Sequence, residues 1–283
     1  MTAPVHRLPP NELGRDFVAG DIHGSYQLLR QALRAAHFDM ARDRLLLTGD
    51  LVDRGPDSAA CLALTREPWV HSARGNHEQM ALDAFDDNGA LQVPAHQVFA
   101  MHRNGMSWWL ELTSAERVPL LALARQLPLA LEVPTHRGTV GLVHADVPQG
   151  MSWPEFLEAL EQADERTCQI ALWGRQRIEA QRHEGVPGVG RVFVGHTPQW
   201  GGLKRYGNVY AVDTGAVYGQ AGAHEKGALS LTNVVTATAA TLRPTTRGLI
   251  QLLDDPTHAT NPFGSGAQYL TSEQPWRWPW VRR

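Results

Sequence analysis

The sequence predicts a mixed α/β fold, and three observations carry that prediction. Short apolar runs stop at glycine, segments with helical spacing follow them, and the patterning shifts from helix-rich to strand-rich along the chain. Asp16 to Ala19 is the first such run and ends at Gly20. Behind it, Ser25 to Phe38 places Leu28, Leu29, Ala32, Leu33 and Ala36 on one helical face, with Ser25 as the expected cap. Leu45 to Leu47, then Thr48-Gly49-Asp50, then Asp57 to Leu64 repeat the arrangement. Val70 to Ala73, leading through Gly75 into His77 to Phe85, repeats it again. Three successive strand ends therefore deliver polar residues to one edge, and in α/β sheets the loops that leave the carboxyl ends of strands are where sites are built.

The middle reads as more helical. Thr113-Ser114-Ala115-Glu116 and Ser152-Trp153-Pro154-Glu155 both have the pattern of a capping box, in which the first hydroxyl and the last carboxylate satisfy each other's backbone N–H groups. Between them, Leu129 to Val133 and Thr139 to Val143 read as paired strands across Pro134 to Gly138, ending at His144-Ala145-Asp146. Val192 to Gly195, Val209 to Val212, Ala228 to Leu231 and Val234 to Leu242 follow as strands among glycine-rich loops. Regularity fades from Arg243 onward, and Pro275-Trp276-Arg277-Trp278-Pro279-Trp280 marks a biased tail. The expected organisation is a catalytic domain over 1–242 and a C-terminal extension over 243–283. No internal repeat is evident.

Composition narrows the function classes. Of 283 residues, 43% are hydrophobic and 19% charged, enough apolar material to bury a sizeable core. The formal charge of −3 supplies no basic footprint for the phosphates of DNA or RNA, so no nucleic-acid partner is expected. The first ten residues lack the apolar run of a signal peptide and no stretch approaches a membrane span, so a cytoplasmic protein with no membrane association is expected. Cys61 and Cys168 each fall in a segment read as helical and are expected to be ordinary thiols. The sequence leaves the oligomeric state open.

The chemistry sits in three loops: Gly20-Asp21-Ile22-His23-Gly24, Gly49-Asp50-Leu51-Val52-Asp53-Arg54-Gly55 and Gly75-Asn76-His77-Glu78. Any one of them alone reads as a turn, since Gly, Asp and Asn all tolerate turn conformations. Together they offer carboxylate, imidazole and amide at three neighbouring strand ends, a donor mixture that suits divalent metals of borderline hardness such as manganese, iron or zinc. His144 in Leu142-Val143-His144-Ala145-Asp146 and His196 in Val194-Gly195-His196-Thr197-Pro198 add two imidazoles at later strand ends.

These loops, in this order, resemble the signature of the metallophosphoesterases and, within them, of the serine/threonine phosphoprotein phosphatases. The likeness is to the bacteriophage lambda-type and small bacterial protein phosphatases and spans roughly residues 16 to 235. It includes Arg74-Gly75-Asn76-His77-Glu78-Gln79-Met80, Trp173-Gly174-Arg175 and Asp213-Thr214-Gly215-Ala216-Val217. It implies two mixed β-sheets packed as a sandwich flanked by helices, and two divalent metal ions, manganese by preference. Carried over position by position, Asp21 and His23 bind one metal, Asn76, His144 and His196 the other, and Asp50 bridges both. A shared carboxylate offsets the repulsion of two neighbouring dications. The implied reaction is hydrolysis of a phosphate monoester by a metal-bridging hydroxide. His77 is then the general acid, oriented by Asp53, and Arg54, Arg74 and Arg175 clamp the phosphate.

Phosphoserine and phosphothreonine in proteins are the implied substrates. The alternative is a symmetrical dinucleoside-tetraphosphate hydrolase of the same superfamily. Asp53 and Glu78 weigh against that reading, because those enzymes usually lack the first and carry Asp at the second position. A non-catalytic phosphoprotein-binding module is the remaining alternative, and the complete donor set disfavours it.

Overall fold

The computed structural model describes residues 3–235 in full and, beyond them, the backbone of two further strands, Ala240–Thr245 and Gly248–Leu253. In chain order the strands are β1 (Val5–Arg7), β2 (Asp16–Ala19), β3 (Arg44–Leu47), β4 (Val70–Ser72), β5 (Ala130–Thr135) and β6 (Gly138–Val143). They continue as β7 (Arg191–Val194), β8 (Lys204–Tyr206), β9 (Val209–Ala211), β10 (Ala228–Asn233), β11 (Ala240–Thr245) and β12 (Gly248–Leu253). One sheet has the order β1-β5-β6-β7-β9-β8, the other β11-β12-β10-β2-β3-β4. Both are mixed: β2, β3 and β4 run parallel, as do β6, β7 and β9, whereas β5–β6 and β2–β10 are antiparallel.

Alternation along the strands explains why the sheets stack. Successive side chains point to opposite faces, so Val18 and Leu46 of one sheet meet Leu131, Val133, Val140, Leu142 and Phe193 of the other in a core between the sheets. The other face of each sheet is covered by helices. Phe17, Ala19, Leu45 and Leu47 pack with Leu28, Leu29, Ala32 and Leu33 of the helix Tyr26–Ala35. Val143, Val192 and Val194 pack with Trp153, Phe156, Leu157 and Leu160 of the helix Trp153–Glu161. The predicted α/β sandwich flanked by helices is what forms.

Both predicted capping boxes are made. Thr113 Oγ1 accepts from the Glu116 N–H while Glu116 accepts from the Thr113 N–H, and Ser152 and Glu155 do the same ahead of Pro154. Ser25 is different. It precedes the helix Tyr26–Ala35, but its side chain makes no cap and its Oγ is buried without a partner, because φ −83° and ψ 49° turn it away from the extended geometry of a cap.

The strand expected over Val234 to Leu242 also differs. β10 runs on to Asn233, Val235 N–H turns back onto Asn233 Oδ1, and the next strand begins at Ala240. Strand structure continues past Arg243, where the sequence reads as irregular: β12 pairs in parallel with β10 and antiparallel with β11. The tryptophan run at Trp276, Trp278 and Trp280 lies outside the described residues. No helix among the described residues is long and apolar enough to cross a membrane.

Candidate active site

The site lies where the carboxyl ends of both parallel strand sets meet. β2, β3 and β4 end at the loops carrying Asp21 and His23, Asp50, and Asn76 and His77, while β6 and β7 end at His144 and His196. One sheet therefore supplies four of the six proposed metal ligands and the other sheet two. Backbone packing between these loops is close. A Cβ on Gly75 would stand 2.2 Å from Asp50 Oδ1, and one on Gly195 would stand 2.0 Å from Asp21 Oδ1. Only glycine leaves room for the carboxylates at these two positions.

Strain marks the same place. Five of the eight non-glycine residues with positive φ among the described residues, His23, Asp50, Asp53, Arg54 and His196, lie here, with φ between 39° and 73°, left-handed values that cost non-glycine residues energy. Such backbone persists when surrounding bonds over-determine it, and it clusters at functional sites.

Asp50 is the hub. Its Oδ1 is 3.4 Å from His144 Nε2, and its Oδ2 is 3.5 Å from His23 Nε2 and 3.9 Å from His77 Nε2. Burial would raise its carboxyl, but the surrounding His144, His77 and His23 hold it well below the usual carboxylate range. Asn76 Oδ1 lies 2.8 Å from both His144 Nε2 and His196 Nδ1. His23 and His144 each use Nδ1–H on a carbonyl, that of Val52 at 2.7 Å and that of Thr48 at 2.9 Å, so each presents an unprotonated Nε2 to the centre. Burial pushes His23 and His144 below the normal histidine value, and burial followed by His144 pushes His196 down to about 2.

Neutral imidazoles, an amide oxygen and a carboxylate are thus packed with lone pairs facing one another. A cation resolves that arrangement, and the donor set fits divalent metals. Among the described residues, two triads, His23-Asp50-His77 and Asp50-His144-His196, each hold three donor atoms that lie within 4.8 Å of one another. Asp21, expected beside His23, is in neither triad. Its Oδ1 lies 3.3 Å from the Thr48 hydroxyl and its Oδ2 accepts the His196 N–H at 2.9 Å.

Arg54 already brings positive charge to these lone pairs. Its Nη1 is 2.5 Å from His23 Nε2 and its Nη2 is 2.9 Å from His77 Nε2. Beside it, His77 Nδ1 is 2.6 Å from Asp53 Oδ2, a fully buried contact that brings together the two residues expected as acid and orienting carboxylate. Arg175 Nη1 donates to Thr197 Oγ1 at 3.2 Å, next to His196. Arg74 is turned elsewhere. Its guanidinium donates to Gln79 Oε1 at 3.0 Å and to the Arg125 carbonyl at 3.1 Å.

The model of the calcineurin-like phosphoesterases matches residues 17–211, which brackets all of these loops. The chain belongs to the calcineurin-like phosphoesterase family. It is 40% identical over 210 residues to serine/threonine-protein phosphatase 1 of Salmonella typhimurium, covering 72% of this chain and 87% of that protein. Against serine/threonine-protein phosphatase 2 of Escherichia coli it is 31% identical, covering 71% and 87%. A symmetrical bis(5'-nucleosyl)-tetraphosphatase of Methylococcus capsulatus is 38% identical over 135 residues, covering 47% of this chain and 43% of that protein. The crystal structure of a proposed diadenosine tetraphosphatase superposes with a TM-score of 0.55 at 22% identity, covering 81% and 92%, a likeness of fold.

Three features of the phosphoesterase site were not legible in the sequence. Glu78, noted there only as a family marker, is fully buried and accepts four backbone N–H groups, those of Asp50, Leu51, Val52 and Gly75. Asp213 is buried beside the centre and accepts the Gly215 N–H, and burial with Asp50 pushes its carboxyl up to about 7. Trp108 and Trp109 both reach Asp53, from a segment that carried no motif. A cleft of about 200 Å³ also opens beside Arg175, lined by Trp173, Ile170, Gln149 and Arg182 among others.

Proposed function

We propose that this phosphoesterase is a protein phosphatase that hydrolyses the phosphate monoesters of serine and threonine in proteins, in the cytoplasm, with two divalent metal ions, manganese by preference. Asp50 carries the reading: one of its oxygens faces His144 and the other faces His23 and His77, as a carboxylate shared by two ions must. Asp21 and His23 would hold one ion and Asn76, His144 and His196 the other. Bound ions supply Lewis acidity, which lowers the pKa of water and neutralises phosphate charge.

The side chains supply the rest. Arg54 and Arg175 meet the phosphate oxygens, with guanidinium geometry suited to two at once. A phosphate in the site draws Arg54 away from His77 Nε2, which frees that nitrogen to carry a proton toward the leaving alkoxide. Burial opposes a charge on His77, yet Asp50 and Asp53 raise its pKa above the ordinary histidine value, which favours the acid form. Similarity to the two protein phosphatases over most of their length supports the monoester substrate.

A second reading, hydrolysis of dinucleoside tetraphosphates, is favoured by one observation. The cleft beside Arg175 presents Trp173, which is 40% exposed and available for a base to stack on. The test compares kcat/KM of the manganese-loaded protein on a phosphoserine peptide, a phosphotyrosine peptide and diadenosine tetraphosphate. The phosphoserine peptide is expected to win. A tenfold or greater preference for the dinucleotide overturns the protein-phosphatase reading.

A further inference from the structure

We infer that Trp108 and Trp109 are positioning residues for proton transfer, their two indole N–H groups jointly holding Asp53 so that His77 presents Nε2 to the leaving oxygen. The inference rests on the reading of His77 as the acid.

Asp53 Oδ1 accepts from Trp108 Nε1 at 2.7 Å and from Trp109 Nε1 at 3.1 Å, and Oδ2 is left to His77 Nδ1 at 2.6 Å. An indole N–H donates and never accepts, so neither tryptophan can take a proton from the pair or compete for the imidazole. With Oδ1 saturated, the carboxylate cannot rotate without losing a buried, charge-assisted bond, and the His77 ring orientation follows from Oδ2 alone. Asp53 and Trp109 are wholly buried, so water does not replace the Trp109 donor. The indoles lie 4.4 Å apart between centroids, and Trp109 packs at 6.1 Å from Phe85, which fixes their own orientation.

The same segment grips the backbone. Asp53 and Arg54 are consecutive left-handed residues, with φ of 73° and 67°. Asp53 N–H donates to Ser58 Oγ, and Arg54 N–H donates to the Gly105 carbonyl at 3.2 Å. A Cβ on Gly105 would stand 2.6 Å from Arg54 N, so only glycine allows the approach. Gly105 to Trp109 therefore pins both the strained turn and the carboxylate it carries. In the reaction, the oxygen of water bonds to phosphorus as the bond from phosphorus to the ester oxygen breaks, the proton on His77 Nε2 moves to that ester oxygen, and one proton of the water passes to solvent, so that the alcohol and hydrogen phosphate leave. His77 is left neutral with Nδ1–H still on Asp53.

The experiment uses the full-length manganese-loaded chain carrying Trp108→Phe, Trp109→Phe or both, with His77→Asn as control. Each is assayed on a phosphoserine peptide, whose alkoxide needs a proton, and on p-nitrophenyl phosphate, whose leaving group does not. The double variant is expected to lose about tenfold or more in kcat on the peptide, a share of the roughly 10²–10⁴ that acid catalysis supplies, with KM changed less than about twofold. On p-nitrophenyl phosphate its kcat should fall by less than about threefold. Trp108 is only partly buried, so Trp108→Phe reports on the same carboxylate oxygen where Trp109→Phe fails to fold. Equal slowing of both substrates by the tryptophan variants, while His77→Asn discriminates between them, overturns the inference alone. Equal slowing by His77→Asn overturns the acid assignment and the inference with it.

Discussion

Glu78 Oε2 accepts the backbone N–H of Asp50 at 2.9 Å, and Glu78 Oε1 accepts the next N–H, of Leu51, at 2.8 Å. The same carboxylate takes the Gly75 N–H at 2.8 Å, so it ties the loop after β3 to the start of the helix Asn76–Ala84. Asp50 sits at φ 50°, and these bonds are what hold its backbone there. Glu78→Gln puts an amide donor against backbone donors, and a buried donor left without a partner costs about 1–3 kcal/mol. The expected result is a stability loss of that order by urea denaturation, together with weaker manganese binding by calorimetry. Unchanged values of both would show that Glu78 does not set the Asp50 loop.

Metal removal should abolish turnover, because the proposed donors are ordinary oxygen and nitrogen groups whose lone pairs face one another without a cation. Exhaustive chelation followed by return of manganese should restore the rate. The loaded form should also be more stable, by about 2.7 kcal/mol at a metal concentration 100 times Kd. Asp50→Asn is expected to lose activity and this stabilisation together. Full activity after complete chelation, checked by elemental analysis, contradicts a two-metal centre.

Arg54→Ala and Arg175→Ala would remove the proposed charged hydrogen bonds to phosphate, each worth about 1.5–3 kcal/mol, so kcat/KM on a phosphopeptide should fall roughly 10-fold to 150-fold. Arg74→Ala should cost less in kcat/KM and more in folding stability, since Arg74 bonds Gln79 and the Arg125 carbonyl. Steady-state kinetics with parallel thermal melts separate the two effects. An Arg74→Ala variant as impaired as Arg54→Ala, with an unchanged melt, would put Arg74 in the phosphate clamp.

His71 gives a pH prediction away from the centre. Burial, then the charges of Arg44 and His6, push its pKa down to about 4. The folded state therefore binds fewer protons than the unfolded chain below about pH 6.5, the model-peptide value. The stability it contributes is fully present above pH 6.5 and is lost as pH falls toward 4. His71 is partly exposed, and with solvent screening the loss is about 1–2 kcal/mol. His71→Gln should flatten the fall in unfolding midpoint between pH 6.5 and 4 by that amount. Parallel wild-type and variant curves across the window would exclude a role for His71.

Much of the site was legible because its signals are local. Gly20-Asp21-Ile22-His23, Gly49-Asp50 and Gly75-Asn76-His77 each combine an apolar run, a glycine and a donor within a few residues, and a strand end is a local event. The parallel strands β2, β3 and β4 follow from that repetition, as do both capping boxes, whose partners are three residues apart. Ser25 misled for the opposite reason. Its residue type permits a cap, but its backbone is fixed by the loop that carries Asp21 and His23.

What only the tertiary structure decided depends on contacts between distant segments. Asp53 and Trp109 are 56 residues apart, and His196 N–H reaches Asp21 across 175 residues. No spacing rule relates such pairs, because their meeting is set by how two sheets stack and how loops lean across the seam. The turn of Arg74 toward Gln79 and of Arg54 toward the imidazoles is of the same kind. Sequence fixes which groups are present and at which strand ends, since those follow from backbone periodicity. Which lone pair faces which charge is settled only when burial removes water and every remaining polar atom must find a partner within the fold.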